Sequence, residues 1–238
     1  MLNAQNLEAF YGDFQALFGI DFSVQEGESV AIIGANGAGK STFLKSVCGQ
    51  IKVQPHAVQF GGQPIGGAHP YDIVAMGIAM VPEGRRLFPS LTVEENLIAG
   101  TLSKRTGSWN LRRVYELFPS LHEKRNNPAM TLSGGQQQMA AIGRALMSNP
   151  RLLICDEISL GLAPVIVKDI YSALPSIIAD GISVLIVEQD IDTAKRMTDR
   201  LYCFMHGKVA LCGPSAGLSK KQISDAYFGL STAGDTHA

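Results

Sequence analysis

The run GANGAGKS, from Gly34 to Ser41, restricts the possible folds of this 238-residue chain more than any other stretch. It fits the spacing G-x-x-x-x-G-K-[ST]. Before it stands an unbroken apolar segment, SVAIIG at 29–34; after it, Phe43, Leu44, Val47, Cys48 and Ile51 recur at helical spacing. Strand, glycine-rich turn and amphipathic helix in that order form the context such a loop requires. Glycines let the backbone curl until its N–H groups converge on one anion, and the positive end of the helix dipole adds to the same field. The expected cradle comprises Gly34, Asn36, Gly37, Gly39, Lys40, Ser41 and Thr42, with Lys40 reaching the β- and γ-phosphates and the Ser41 hydroxyl binding Mg²⁺. A glycine-rich turn that merely starts a helix is the plain alternative; the strand before it and the helix after it argue against that.

Three further apolar runs, GIAMVP (77–82), RLLICDE (151–157) and ISVLIVEQ (182–189), also lack alternation. They read as strands buried on both faces, as in a parallel sheet covered by helices. Met139, Ile142, Gly143, Leu146 and Met147 form a second helical stripe. FGIDFSVQEGES is strand-like, and LYCFMHGKVALCG reads as a hairpin turning at His206 and Gly207. Between about 85 and 145 no convincing strand stands out. Thr92 with Glu95 has capping-box spacing, and WNLRRVYELF places Leu111, Val114, Tyr115 and Phe118 on one face. The expectation is one α/β domain over 1–238 with a mostly parallel core sheet, an antiparallel β portion and an inserted helical subdomain at about 85–145. The tail STAGDTHA, from Ser231, is expected to fray.

The strand LLICDE ends in paired carboxylates, the natural companion of a phosphate cradle. Asp156 is expected to hold the metal, and Glu157 to orient or deprotonate an attacking water. A second glycine loop, TLSGGQ at 131–136, then poses a problem, because one nucleotide does not need two cradles. It opens the helix leading into the Asp156 strand, so it faces away from its own P-loop. Ser133, Gly134, Gly135 and Gln136 are therefore expected to complete a phosphate site in another polypeptide, two chains meeting head to tail around two nucleotides. A plain turn accounts for two glycines but leaves the serine and glutamine without a reason.

Lys plus Arg number 20 and Asp plus Glu 21, so the net charge of -1 supplies no field for condensing on nucleic acid or an anionic bilayer. Cys48, Cys155, Cys203 and Cys212 show no C-x-x-C spacing, which favours a reducing compartment and no cysteine-held metal. MLNAQNLEAFYGDF has neither the basic flank nor the apolar core of a signal peptide, and no stretch approaches the roughly 20 apolar residues of a membrane span. Membrane contact is expected to go through other proteins.

P-loop, LSGGQ and DE in this order resemble the ATP-binding subunits of ABC transporters over essentially the whole chain. Within that superfamily VPEGRRLFPSLTVEENL (81–97), LSGGQQQMAAIGRALMSNPRLLICDE, SLGLAP (159–164), VEQD (187–190) and AYFG (226–229) are similar to an ATPase subunit of branched-chain amino-acid importers. Similar ATPases also serve urea and amide importers. The resemblance implies ATP as the hydrolysed ligand with Mg²⁺, and Tyr11 as the aromatic platform for adenine, against the alternative of a buried tyrosine satisfying one hydrogen bond. It places Glu83 where most ABC ATPases carry a glutamine that senses metal and water. A carboxylate there accepts from metal-bound water but does not donate to phosphate. It places Gln189 where a histidine usually meets the γ-phosphate; its amide donates but carries no charge. The implied partners are a second, non-identical ABC ATPase, two membrane-spanning permease subunits and, indirectly, a solute-binding protein, with no nucleic acid. The implied location is peripheral, on the cytoplasmic face of a bacterial inner membrane. A soluble ABC-type ATPase of iron–sulfur cluster assembly shares every phosphate motif; the stretches at 81–97 and 159–164 favour the importer.

Overall fold

A computed structural model describes residues 1–230, so the tail that was expected to fray lies outside the described residues. The chain begins with a long hairpin, β1 (Leu2–Tyr11) and β2 (Phe14–Val24), and then enters β3 (Ser29–Ile33) and α1 (Lys40–Val47). After β4 (Val58–Phe60), β5 (Gln63–Pro64), α2 (Pro70–Met76) and β6 (Ile78–Val81) come α3 (Val93–Ala99), α4 (Leu111–Leu117), α5 (Pro119–Glu123) and α6 (Gly134–Leu146). The remainder is β7 (Leu152–Asp156), α7 (Pro164–Ser172), α8 (Leu174–Ala179), β8 (Ser183–Val187), α9 (Ile191–Met197), β9 (Arg200–Met205), β10 (Lys208–Pro214) and α10 (Lys220–Phe228).

The unbroken apolar runs behave as fully covered strands do: β3, β7 and β8 are buried at every residue. They lie in a six-stranded sheet of order β10-β9-β3-β8-β7-β6. Every pairing from β9 to β6 is parallel, and only the β9–β10 hairpin is antiparallel. That hairpin turns on His206 and Gly207, at φ 49 and 72, the left-handed pair a two-residue turn demands. A second sheet, β2-β1-β4-β5, is wholly antiparallel. Helix α1 packs between the two sheets, where Phe43 meets Phe22 and Phe204 edge-on at 4.7 and 5.5 Å between ring centres.

The register aligns the carboxyl ends of the parallel strands. Ile32 and Asp156 both pair with Val187, so the loops leaving β3, β7 and β8 emerge side by side. Ligands of open α/β sheets bind at this edge.

Between β6 and β7 the described residues hold helices and no strand. Thr92 caps α3 as its spacing predicts: its Oγ1 accepts from the Glu95 N–H at 3.2 Å, while Glu95 Oε2 accepts from the Thr92 N–H at 2.7 Å. On the predicted face of α4, Val114 and Phe118 are buried and Leu111 and Tyr115 half-buried, all packed with α3 and α6 on the second face of the large sheet.

Candidate functional site

The phosphate loop follows from close packing beneath it. At Gly39, φ 105, a Cβ would lie 2.8 Å from the Leu17 side chain and 3.3 Å from the Gly207 backbone; at Gly34 it would strike the Phe204 carbonyl. Only glycine lets the loop lie on that floor. Lys40 is buried beneath the loop, its Nζ donating to the carbonyls of Gly34 at 2.7 Å and Ala35 at 3.2 Å and standing 3.8 Å from Glu157 Oε1. Above lies a cleft of about 900 Å³, lined by residues 36–42 together with Tyr11, Glu83, Glu157 and Gln189. Gly34 and Asp156, also singled out from the sequence, are not among its lining, though each stands close in sequence to a residue that is. Tyr11 is not a buried tyrosine. It is 47% exposed, with its hydroxyl 3.4 Å from Thr42 Oγ1. Phe14, its cross-strand neighbour, also lines the cleft and was missed in the sequence, where nothing separates it from an ordinary strand residue.

The acidic end is built by the loop after β7. Glu157 takes a left-handed φ of 47 and donates its backbone N–H to the Val187 carbonyl at 2.9 Å, which fixes it beside the end of β8. Gln189 Nε2 donates to Glu157 Oε2 at 2.8 Å and to Asn36 Oδ1 at 3.4 Å, so the side chain just beyond β8 joins the acid just beyond β7 to the P-loop. Burial pushes the Asp156 carboxyl up to about 6, and the charges of Glu157 and Glu83 push the same way, against Lys40 and Lys45. Crowded acids that resist ionising favour a divalent cation among them. Ser41, Asp156 and Glu83 offer the hard oxygens that Mg²⁺ takes, so the residues fit the metal. Among the described residues no group of three or more His, Cys, Asp or Glu could hold a metal alone. Mg²⁺ does not need one, being held by one or two carboxylates plus substrate phosphates.

The LSGGQ loop stands apart from this cleft, and Ser133, Gly134, Gly135 and Gln136 are not among its lining. The structure corrects one step of the sequence argument. Ser133 and Gln136 do have a local reason: they form a capping box at the start of α6, Ser133 Oγ accepting from the Gln136 N–H at 3.3 Å and Gln136 Oε1 from the Ser133 N–H at 3.1 Å. Gly135 likewise has a packing reason, because a Cβ there would overlap the Ile166 side chain of α7. Ser133 remains exposed at the N-terminus of a 13-residue helix. The Glu83 loop is hooked onto this helix: Arg85 Nη1 donates to Gln137 Oε1 and Arg144 Nη2 to the Arg85 carbonyl, each at 3.2 Å.

With this geometry in hand, comparison with known proteins is decisive: the model of the family described as ABC transporter matches residues 17–159. The chain belongs to the ABC transporter family. BraG of Pseudomonas aeruginosa, named a high-affinity branched-chain amino acid transport ATP-binding protein, is 41% identical over 232 residues, which cover 96% of this chain and 100% of that protein. LivF of Archaeoglobus fulgidus, named a probable branched-chain amino acid transport ATP-binding protein, is 33% identical over 90% of this chain and 92% of its own length. Among solved structures, an ATP-binding cassette of an ABC transporter in its ADP conformation superposes with a TM-score of 0.81 at 29% identity, covering 94% of this chain and 93% of that one. The α/β cassette fold is thus an ABC ATPase fold.

One polar residue of this ABC ATPase escaped the sequence reading. Glu188, directly after β8, is 2% exposed, and its carboxylate accepts from the Tyr171 hydroxyl and, at 2.7 Å, from Ser159 Oγ. Burial holds its carboxyl above the usual carboxylate range, in opposition to those two hydrogen bonds. VEQD showed the acid, but not that it turns inward.

Proposed function

We propose that this chain is the ATP-hydrolysing subunit of an importer for branched-chain amino acids or a related small solute such as urea or an amide. It works at the cytoplasmic face of a bacterial inner membrane with a second, non-identical ATPase, two permease subunits and, indirectly, a solute-binding protein. The observation that carries the reading is the split of the site: Lys40, Glu157 and Gln189 converge on one cleft, while Ser133 stands exposed outside it. The names of BraG and LivF support the amino-acid substrate, and a bacterial ABC transporter cassette solved as a dimer has a TM-score of 0.80 at 27% identity. No helix among the described residues is long and apolar enough to cross a membrane, which agrees with a peripheral subunit held by its permeases.

In this mechanism Tyr11 stacks on adenine, residues 34–42 wrap the phosphates with their N–H groups, and Lys40 turns its charge to the β- and γ-phosphates. Ser41, Asp156 and Glu83 would hold Mg²⁺, which would supply positive charge against the charge that develops on the phosphate oxygens. Glu157 takes the proton of the attacking water, and Gln189 keeps that carboxylate and Asn36 in place. The corresponding loop of the other cassette closes over this chain's γ-phosphate, as Ser133 to Gln136 close over the nucleotide held by that cassette, so binding shuts the dimer and hydrolysis opens it. The helical block from α3 to α6 moves with that closure as a subdomain. It borders a groove lined by Met80, Phe88, Ala99, Leu102 and Arg144, where Leu102 is 81% and Phe88 51% exposed; this groove takes a cytoplasmic segment of a permease.

Uptake of labelled leucine and urea by cells carrying the parent or a Lys40→Ala chain tests the reading. Loss of leucine uptake alone supports it; loss of urea uptake alone moves the substrate; loss of neither refutes both solutes. A chain that stays soluble when its permeases are co-expressed favours the assembly ATPase. A transporter purified with one ATPase species refutes the heterodimer.

A further inference from the structure

Glu188 has a chemical oddity that the mechanism above leaves unused. An acid almost fully withdrawn from water beside a phosphate site costs stability unless it does something in return, since a neutral residue would fill the same space. Its two hydrogen bonds reach different elements. Ser159 lies two residues beyond Glu157, in the loop that carries the catalytic carboxylate to α7. Tyr171 lies in α7 itself and is 3% exposed. Ile166, on the same helix, is the residue that backs Gly135 of the signature loop. On the other side, Glu188 is fixed by its backbone N–H, which donates to the Ile32 carbonyl at 3.1 Å, two residues before Gly34 of the phosphate loop. Its neighbour in sequence is Gln189, whose amide holds Glu157.

We propose that Glu188 is a positioning residue for ATP hydrolysis: its carboxylate locks the Glu157 loop and α7 to the end of β8. One buried group then sets both the aim of Glu157 at this chain's nucleotide and the seat of the signature loop offered to the neighbouring cassette. The proposal rests on reading the cleft as the ATP site. Ionised, the carboxylate accepts from each hydroxyl with a separate oxygen, Tyr171 at Oε1 and Ser159 at Oε2, whereas a glutamine in its place offers one acceptor oxygen. With Ser159 released, the loop after Glu157 loses its tie to the β8 strand end. With Tyr171 released, α7 loses the tie that holds Ile166 under Gly135. Neither change touches a residue that contacts nucleotide. Ground-state affinity is therefore kept while the approach to the transition state is lost, since a misaim of about 1 Å costs up to about a hundredfold in rate.

The test uses the complete transporter with its partner ATPase and permeases in liposomes, comparing the parent with Ser159→Ala, Ser159→Thr, Tyr171→Phe, Glu188→Gln and Glu188→Leu. Fluorescent ATP binding, steady-state hydrolysis and thermal melting are read for each. Ser159→Ala and Tyr171→Phe are expected to lower kcat about fivefold to twentyfold, with ATP affinity within twofold of the parent. Ser159→Thr, which keeps the hydroxyl, restores the rate. In the Glu188→Leu background neither change lowers kcat further, because both act through the same carboxylate. The Ser159 and Tyr171 single variants keep the test decisive if Glu188→Leu melts early. The proposal is overturned by a kcat within twofold of the parent in both single variants, by ATP affinity falling in step with kcat, or by losses that multiply in the Glu188→Leu background. A parent complex that neither binds nor hydrolyses ATP overturns the reading of the cleft itself, and is told apart because the variants then have nothing to lose.

Discussion

Replacing Glu157 with glutamine separates binding from chemistry at this site. The change is isosteric, and the surroundings show what it leaves in place. Gln189 donates to Glu157 Oε2 at 2.8 Å, and the amide oxygen of a glutamine accepts that bond equally well. Lys40 meets Glu157 only at 3.8 Å and keeps its bonds to Gly34 and Ala35, so the cradle stays built. Asp156 loses one of the charges that raise it and therefore binds metal no worse. What disappears is the proton acceptor, and general-base catalysis contributes about 10²–10⁴-fold, or roughly 2.7–5.4 kcal/mol of barrier at about 1.36 kcal/mol per tenfold. In the reconstituted complex, ATP affinity should stay within about twofold while single-turnover hydrolysis at this site falls by that factor. Unhydrolysed ATP should then hold the cassettes closed, readable as a crosslink between residues flanking Ser133 and the partner's P-loop. Hydrolysis at the parent rate refutes Glu157 as the base. Loss of ATP binding refutes the claim that the charge is not needed to build the cradle.

Three further outcomes follow from the geometry. Gly135→Ala forces a methyl into Ile166 and should destabilise the chain by about 1–3 kcal/mol, a drop of roughly 2–4 °C in Tm per kcal/mol for a chain of this size; Gly134→Ala, whose methyl comes no nearer than 3.1 Å to the Arg85 guanidinium and 3.4 Å to Leu162, should cost clearly less, and equal melts would contradict the packing. Asp156 is raised to about 6, so the Mg²⁺-dependent part of ATP affinity should be present at pH 7.5 and lost as pH falls through 6; without metal the sign reverses for stability, because the native state holds that proton more tightly than the unfolded chain and this group favours the fold more as pH falls from 7 towards 4. A flat Mg²⁺ dependence across pH 5.5–7.5 would count against Asp156 as ligand. Phe88→Asp with Leu102→Asp, both exposed and far from the phosphate loop in sequence, should abolish co-purification with the permeases while ATP binding by the chain is unchanged; retained assembly would move the docking surface elsewhere.

The sequence was most legible where a residue's job depends on its neighbours in the chain. Central strands such as Ser29–Ile33 betray themselves because both faces are covered and no polar alternation is left. The P-loop betrays itself because glycine, lysine and serine must stand at fixed offsets, and the β9–β10 turn because only a pair like His206-Gly207 closes it cheaply. Glu188 was illegible because an inward and an outward carboxylate are written with the same letter, and its partners Ser159 and Tyr171 come from other elements. Arg85 and Arg86 were hidden for a related reason: at φ 65 and 45 they take a backbone state that arginine seldom announces. LSGGQ was legible only in part. The Ser-x-x-Gln spacing of a capping box was visible in the letters, but a phosphate site alone was read from them; the cap engages the N–H groups of Ser133 and Gln136 at the start of α6.

The floor of the phosphate loop has a consequence for how the protein is made. Leu17 comes from the start of the chain, whereas Phe204 and Gly207 come from near its end, and the Gly207 N–H donates to the Ala38 carbonyl at 3.0 Å. Strand β3 itself lies between β8 and β9, both translated much later. At roughly 5–20 residues per second, Ala38 leaves the ribosome roughly ten to thirty seconds before the residue that braces it. A chain stalled before Gly207 therefore displays the motif without the floor on which it rests.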